Sequence, residues 1–200
     1  MTKKLLITLS ILTLFANATK ASDNNSATHD EGVVINGIRW ATRNVDMPGT
    51  FAETPESFGM LFQWNRKKAW NAVDEDVEGW DNSLPRGTKW YANDPCPEGW
   101  RLPTEDELCS LENVRSQWTN QRSVYGRLFG IAPNQLFLPA AGWRCGIDGS
   151  LRGVGADGVY WSSTRFAGVR AIDLSLDSGG VVVLAHWRQR GLSVRCVSIN

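Results

Sequence analysis

The sequence predicts a single α+β domain with an antiparallel sheet late in the chain, one or two short helices and long irregular loops. Three observations lead there: an Asn36-Gly37 pair between apolar runs, a capping box at Thr104, and short glycine-separated apolar runs after Pro133. At 200 residues, with 42% apolar and 21% charged, one domain with a packed core is expected and wholesale disorder is excluded. The 21 basic and 21 acidic residues cancel, so the basic surplus of a nucleic-acid binder is missing. Ten Trp and 19 Gly point to a loop-rich chain with large aromatic anchors.

The first segment has the pattern of a secretory signal rather than of a folded element. A charged Met-Thr-Lys-Lys start precedes the apolar run Leu5 to Ala18, and small residues follow it. That run is 14 residues long, short of the roughly 20 needed to span a bilayer. Residues 1–21 therefore read as a signal peptide, with cleavage before Ser22 preferred over cleavage before Thr19, and no membrane span is expected in the mature chain. No Cys follows the run to carry a lipid. Cleavage leaves 18 basic and 21 acidic residues, a net charge of −3. Residues 22–32 are polar and aperiodic and read as a flexible leader, which leaves residues 33–200 as the domain.

Asn36-Gly37 predicts a hairpin between Val33–Ile35 and Ile38–Trp40, and Met60 to Trp64 a short buried strand. The stretch 65–93 shows no sustained period and reads as irregular. Thr104 as cap with Glu107 three residues on predicts a helix whose face carries Leu108, Leu111, Arg115 and Trp118. A second short helix is expected from Arg122 to Phe129. Strands are expected at Gln135–Leu138, Gly158–Ser163, Val169–Leu176, Val181–Arg188 and Leu192–Ile199, with a turn at Asp177-Ser178-Gly179-Gly180.

Four cysteines, Cys96, Cys109, Cys145 and Cys196, in an exported chain argue for two disulfides, with three connectivities open. Zinc spacing is absent: there is no C-x-x-C pair, and His29 and His186 are the only histidines. Asp74 to Gly79 matches the first half of a calcium loop, but Pro85 stands where the bidentate Glu belongs, so a solvated acidic turn is expected. No metal or other cofactor is expected.

The string Cys96-Pro97-Glu98-Gly99-Trp100-Arg101-Leu102-Pro103-Thr104, followed by Glu107, resembles the central motif of the Fibrobacter succinogenes major paralogous domain family, found in exported bacterial proteins. Four further motifs follow the same order: Ile35 to Trp40 with Asn44-Val45, Leu138 to Arg144 with Asp148-Gly149, Tyr160 to Ser163, and Gly191 to Val197. The resemblance covers about residues 33 to 199. It implies a C-type-lectin-like fold and a bond between Cys96 and Cys196. Cys109 and Cys145 lie outside the motif and are left to pair with each other.

The string Arg101 to Glu107 also resembles the formylglycine-generating enzymes, which need a copper-binding pair of late thiols. Here Cys145 and Cys196 are the only late candidates. No G-x-S-x-G elbow exposes a nucleophile, and the Glu-Pro-Asn and Trp-Asn-Asp motifs of calcium-dependent lectins are absent. No catalytic residue is assigned. Trp40, Trp64, Trp100, Trp143 and Trp161 are expected in the core. Trp70, Trp80 and Trp90, with Asp148, Arg152 and Asp157 of the glycine-rich loop 144–158, are the candidate ligand contacts. The expected function is an exported, non-catalytic binding module of the bacterial envelope or cell surface, with a glycan or protein as partner. A structural or tip subunit of a surface assembly is the alternative, and a formylglycine-type oxidase a remote one.

Overall fold

The computed structural model describes residues 26–199, and the segment expected to be a signal peptide lies outside them. The hairpin of β1 (Val33–Ile35) and β2 (Ile38–Trp40) turns at Asn36-Gly37, where both residues have positive φ, 49° and 79°, as a two-residue hairpin loop requires. Short strands β3 (Leu61–Gln63) and β4 (Ala69–Trp70) follow, and β5 (Trp100–Arg101) leads into α1 (Glu105–Glu112).

Thr104 caps α1 as expected. Its hydroxyl accepts the Glu107 amide while the Glu107 carboxylate accepts the Thr104 amide, the reciprocal arrangement of a capping box. The helix ends at Asn113, earlier than the apolar stripe suggested, because Ser116 to Gln121 pairs as a strand. Trp118 therefore lies in β6 (Ser116–Gln121), not on the helix.

The second helix expected from Arg122 to Phe129 does not form. Arg122 and Ser123 both take positive φ, 46° and 69°, and turn β6 back into β7 (Val124–Ile131), which pairs onward with β8 (Asn134–Pro139). A turn built from two such residues carries no glycine to announce it.

The rest of the chain is β9 (Trp143–Arg144), β10 (Leu151–Arg152), β11 (Gly158–Arg165), β12 (Arg170–Leu176), β13 (Val181–Trp187), β14 (Gly191–Leu192) and β15 (Val197–Ser198). All strand pairings among the named elements are antiparallel. The strand expected at Leu192–Ile199 is divided. Between its halves the Ser193 amide bonds Val159 and the Val194 carbonyl accepts from Val45, so the chain crosses from the sheet β10-β9-β14-β3-β4 to the sheet β1-β2-β15-β5. The sheets β11-β12-β13 and β6-β7-β8 complete the domain.

Two apolar clusters fill the interior. One gathers Phe62, Trp64, Trp90, Trp161 and Leu192; the other joins Leu108 and Leu111 of α1 to Trp40, Phe129, Tyr160 and Leu174. Trp40, Trp64 and Trp161 are buried as expected, and Trp100 and Trp143 are half-buried and packed against the first cluster.

Two further expectations are corrected. Asp30, within the expected flexible leader 22–32, is buried: its carboxylate accepts from the Gly32 and Thr42 amides and pairs with Arg43 at 3.0 Å. These bonds dock residues 30–32 onto the segment after β2. Cys96 and Cys196 form the disulfide the resemblance implied, joining the segment before α1 to the segment before β15. Cys109 and Cys145, however, are free thiols. Cys109 rides on α1, which packs on β11, β12 and β13, while Cys145 sits in the β9–β10 turn, hydrogen-bonded to Gly149 and Ser150. The two thiols thus stand on separately anchored elements.

Candidate functional site

A groove of about 560 Å³ runs over the outer face of β12 and β13. Alternation along β13 makes that face. Val181, Val183 and Ala185 point into the cluster around α1, while Val182 and Leu184, each 42% exposed, stand outward with His186. Register places His186 opposite Ala171, Leu184 opposite Asp173 and Val182 opposite Ser175. The floor is therefore apolar with a polar row through it.

That row is anchored from below. Asp173 is fully buried, and its two carboxylate oxygens are bonded by the Ser175 hydroxyl at 2.9 Å and by His186 Nδ1 at 2.8 Å. A burial this complete requires such partners. The pairing differs from a hydrolase triad: the Ser175 hydroxyl donates to the Asp173 carboxylate and not to the His186 imidazole, which holds the carboxylate's other oxygen.

Trp143 forms one wall. Its backbone is fixed on both sides: Gly142 takes φ 72°, where a Cβ would lie 2.3 Å from the Arg152 carbonyl, and Arg144 is fully buried. Arg144 donates to the carbonyls of Asn71, Asp74 and Gly149 and to Asn71 Oδ1. Arg190 lies over the Trp143 ring, its guanidinium carbon 4.4 Å from the ring centre, and Arg152, opposite Trp143 in the β9–β10 pairing, lies 5.9 Å from the same centre. Burial is the main cause that lowers the proton affinity of Arg190; Asp173 and Cys145 oppose it, and Arg152 and Arg170 add to it. Among the described residues its side chain has no hydrogen-bond acceptor and no carboxylate partner.

Of the six expected contact residues, Asp157 lines this groove, and Arg152 reaches only the ring of its Trp143 wall. Trp70 and Trp90 are buried, at 4% and 2% exposure, and do not form the exposed patch expected of them. Trp90 packs edge-on against Trp64, and Trp70 lies 4.8 Å from Trp80. Trp80 is half-buried, donates to the Gly146 carbonyl and presses on Gly149, so these indoles hold irregular segments down. Asp148 does not line the groove. It accepts the amide and hydroxyl of Ser150, and the amide bond is the largest reason its carboxyl is held down at about 2. The glycine-rich loop 144–158 is hydrogen-bonded along its length: Leu151 to Glu75, Gly155 to Ala140, and Asp157 to Gly153.

Sequence reasoning placed Trp143 in the core, against which it packs, but missed that it also walls the groove, and it missed Arg190 and His186. The available signal was the alternation Val182, Leu184, His186, which marks an exposed apolar face on β13. A second hollow of about 610 Å³ contains Arg101, but that guanidinium is engaged by both oxygens of Glu107 at 2.8 Å. Among the described residues no three His, Cys, Asp or Glu side chains are grouped to hold a metal ion, and no helix is long and apolar enough to cross a membrane. The chain matches no protein-family model, no curated protein and no solved structure.

Proposed function

We propose that the chain is an exported binding module of C-type-lectin-like fold, acting at the bacterial envelope or cell surface by recognising a glycan or a protein rather than by catalysis. The observation that carries this reading is the groove itself: an apolar floor, a wall of Trp143 under Arg190, and a polar row held rigid by buried Asp173. An apolar cleft with a few fixed polar groups is the ordinary form of a ligand site. The resemblance to the Fibrobacter succinogenes major paralogous domain family supports export and fold, and the Cys96–Cys196 bond agrees with it.

Two features favour binding over chemistry. The Ser175 hydroxyl is turned to the Asp173 carboxylate and away from the His186 imidazole, and Cys196 is spent in the disulfide, which leaves Cys145 as the one late thiol where a copper site needs two. The assembly-subunit reading draws less support, because the outer edge of β13 is guarded where Glu112 accepts the Val183 amide.

The test combines surface-protease shaving of expressing cells with a glycan array and crosslinking to envelope proteins, using the secreted chain and a Leu184→Asp variant. Surface exposure and a ligand lost on Leu184→Asp support the reading. Retention in the cytoplasm, or a ligand indifferent to Leu184→Asp, overturns it.

A further inference from the structure

The groove continues past its Asp157 and Asp177 rim into a neighbouring hollow of about 390 Å³, which those two residues also line. The far side of that hollow is the β6–β7 hairpin, which presents Trp118 and Tyr125. Their rings are 9° from parallel with centres 6.3 Å apart, and Tyr125 is 50% exposed. One continuous surface therefore has a cationic end at Trp143 and an aromatic end at Trp118.

The two ends ask for different parts of one ligand. Arg190 is half-buried on the Trp143 ring and its side chain makes no hydrogen bond among the described residues, whereas the buried or half-buried Arg43, Arg101, Arg127, Arg144 and Arg195 each donate to acceptors of the protein. The Arg190 nitrogens hold no acceptor of the protein and keep contact with solvent, so a carboxylate entering the groove can supply the planar acceptor that a guanidinium takes best. Between the ends, the Asp157 carboxylate has no hydrogen-bond partner among the described residues. Asp177 Oδ1 accepts the amides of Gly179 and Gly180, and its other oxygen remains open. These oxygens accept hydroxyl donors and repel a second anion. Tyr125, half-exposed and stacked on Trp118, offers an apolar ring face with a hydroxyl tip, suited to the C–H face of a pyranose.

We propose that this surface binds an acidic oligosaccharide, with a sugar carboxylate on Arg190, hydroxyls on Asp157 and Asp177, and a neutral ring on Trp118 and Tyr125. The assignment rests on the binding-module reading and names its ligand class. An acidic peptide would satisfy Arg190 but has no row of hydroxyls for the two carboxylates.

Isothermal titration of the secreted full chain decides it, with 3′-sialyllactose and a xylotriose bearing a single glucuronate as acidic probes of one carboxylate each, lactose and xylotriose as their neutral partners, and triglutamate as the non-sugar acid. The expected result is that at least one acidic sugar binds more tightly than its neutral partner and than triglutamate. Arg190→Gln then weakens it about tenfold, the worth of one hydrogen bond to a charge, and Tyr125→Ala weakens it about fivefold, the worth of an aromatic contact. Circular dichroism of both variants separates lost binding from lost fold. Equal binding of acidic and neutral partners, equal binding of triglutamate, or no binding of either acidic sugar overturns the proposal. A protein or neutral glycan displaced by Leu184→Asp would overturn it while leaving the binding-module reading intact.

Discussion

Arg195 donates from Nε and Nη2 to the same oxygen of Asn44, at 3.0 and 2.7 Å, with both residues fully buried. Its Nη1 reaches the Ala41 carbonyl at 3.1 Å. Burial pulls its proton affinity down to about 10, partly offset by Tyr160 and Asp30. The pair ties the crossover between β14 and β15 to the segment after β2, and so holds together the two sheets that flank the domain's ends.

Asn44→Ala strands that guanidinium in the interior and should cost about 3 kcal/mol, the upper range for hydrogen bonds to a charged group. Removing both partners as Asn44→Ala with Arg195→Met should be milder than Asn44→Ala alone, because no buried charge is left unpaired. Urea denaturation of the three proteins measures the order. A double variant less stable than the single one would contradict it.

Acid should destabilise the domain through Glu107 and Asp30. Burial pushes the Glu107 carboxyl up, but bonds from Arg101 and Thr104 outweigh it and hold it below its usual 4.5. Asp30 is likewise raised by burial and lowered further by Thr42, Gly32 and Arg43, to below 3.8. Groups depressed in the folded state contribute fully above their unfolded values and lose that contribution as pH falls through the folded ones. Urea midpoints should therefore hold near neutrality and fall below about 4.5, and Glu107→Gln should flatten part of the fall.

Non-reducing peptide mapping should find Cys96 linked to Cys196 and both Cys109 and Cys145 open to alkylation. Burial first, then Glu112, Glu105 and Asp106, raise the Cys109 thiol, so its alkylation should be slow at neutral pH and quicken as pH rises. Cys96→Ala with Cys196→Ala releases a crosslink 100 residues apart, and the chain-entropy model places the cost at about 4.7 kcal/mol.

Asp30→Ala removes the acceptor for Thr42 and Arg43 and should cost about 2 kcal/mol, since charged hydrogen bonds are lost from a buried position. A chain beginning at residue 33 should lose at least as much as Asp30→Ala does. Equal stability of that shortened chain and one beginning at residue 26 would show that residues 26–32 contribute nothing to the fold.

Local rules were legible wherever one short stretch carried its own reason. The Asn36-Gly37 hairpin, the Thr104–Glu107 capping box and the Asp177 to Gly180 turn all stand where their residues predicted them. The errors fell where two readings share one pattern. Leu108, Leu111, Arg115 and Trp118 fit a helical stripe, yet Trp118 belongs to a strand. The turn that redirects it is made by Arg122 and Ser123, side chains seldom found at positive φ.

The sequence by itself determined the α+β class, the start of α1 and most of the late strands, because capping and alternation act within a few residues of chain. The site was decided only by the tertiary structure. Trp143 and Asp157 reach one groove from one stretch of chain, His186 and Arg190 from another some thirty residues later, and Trp90 is buried although its own neighbours are polar. Whether an indole or a guanidinium faces water depends on what packs against it from elsewhere in the chain. Trp64 closes over Trp90, Arg190 is left without an acceptor, and neither fact is written within reach of the residue concerned.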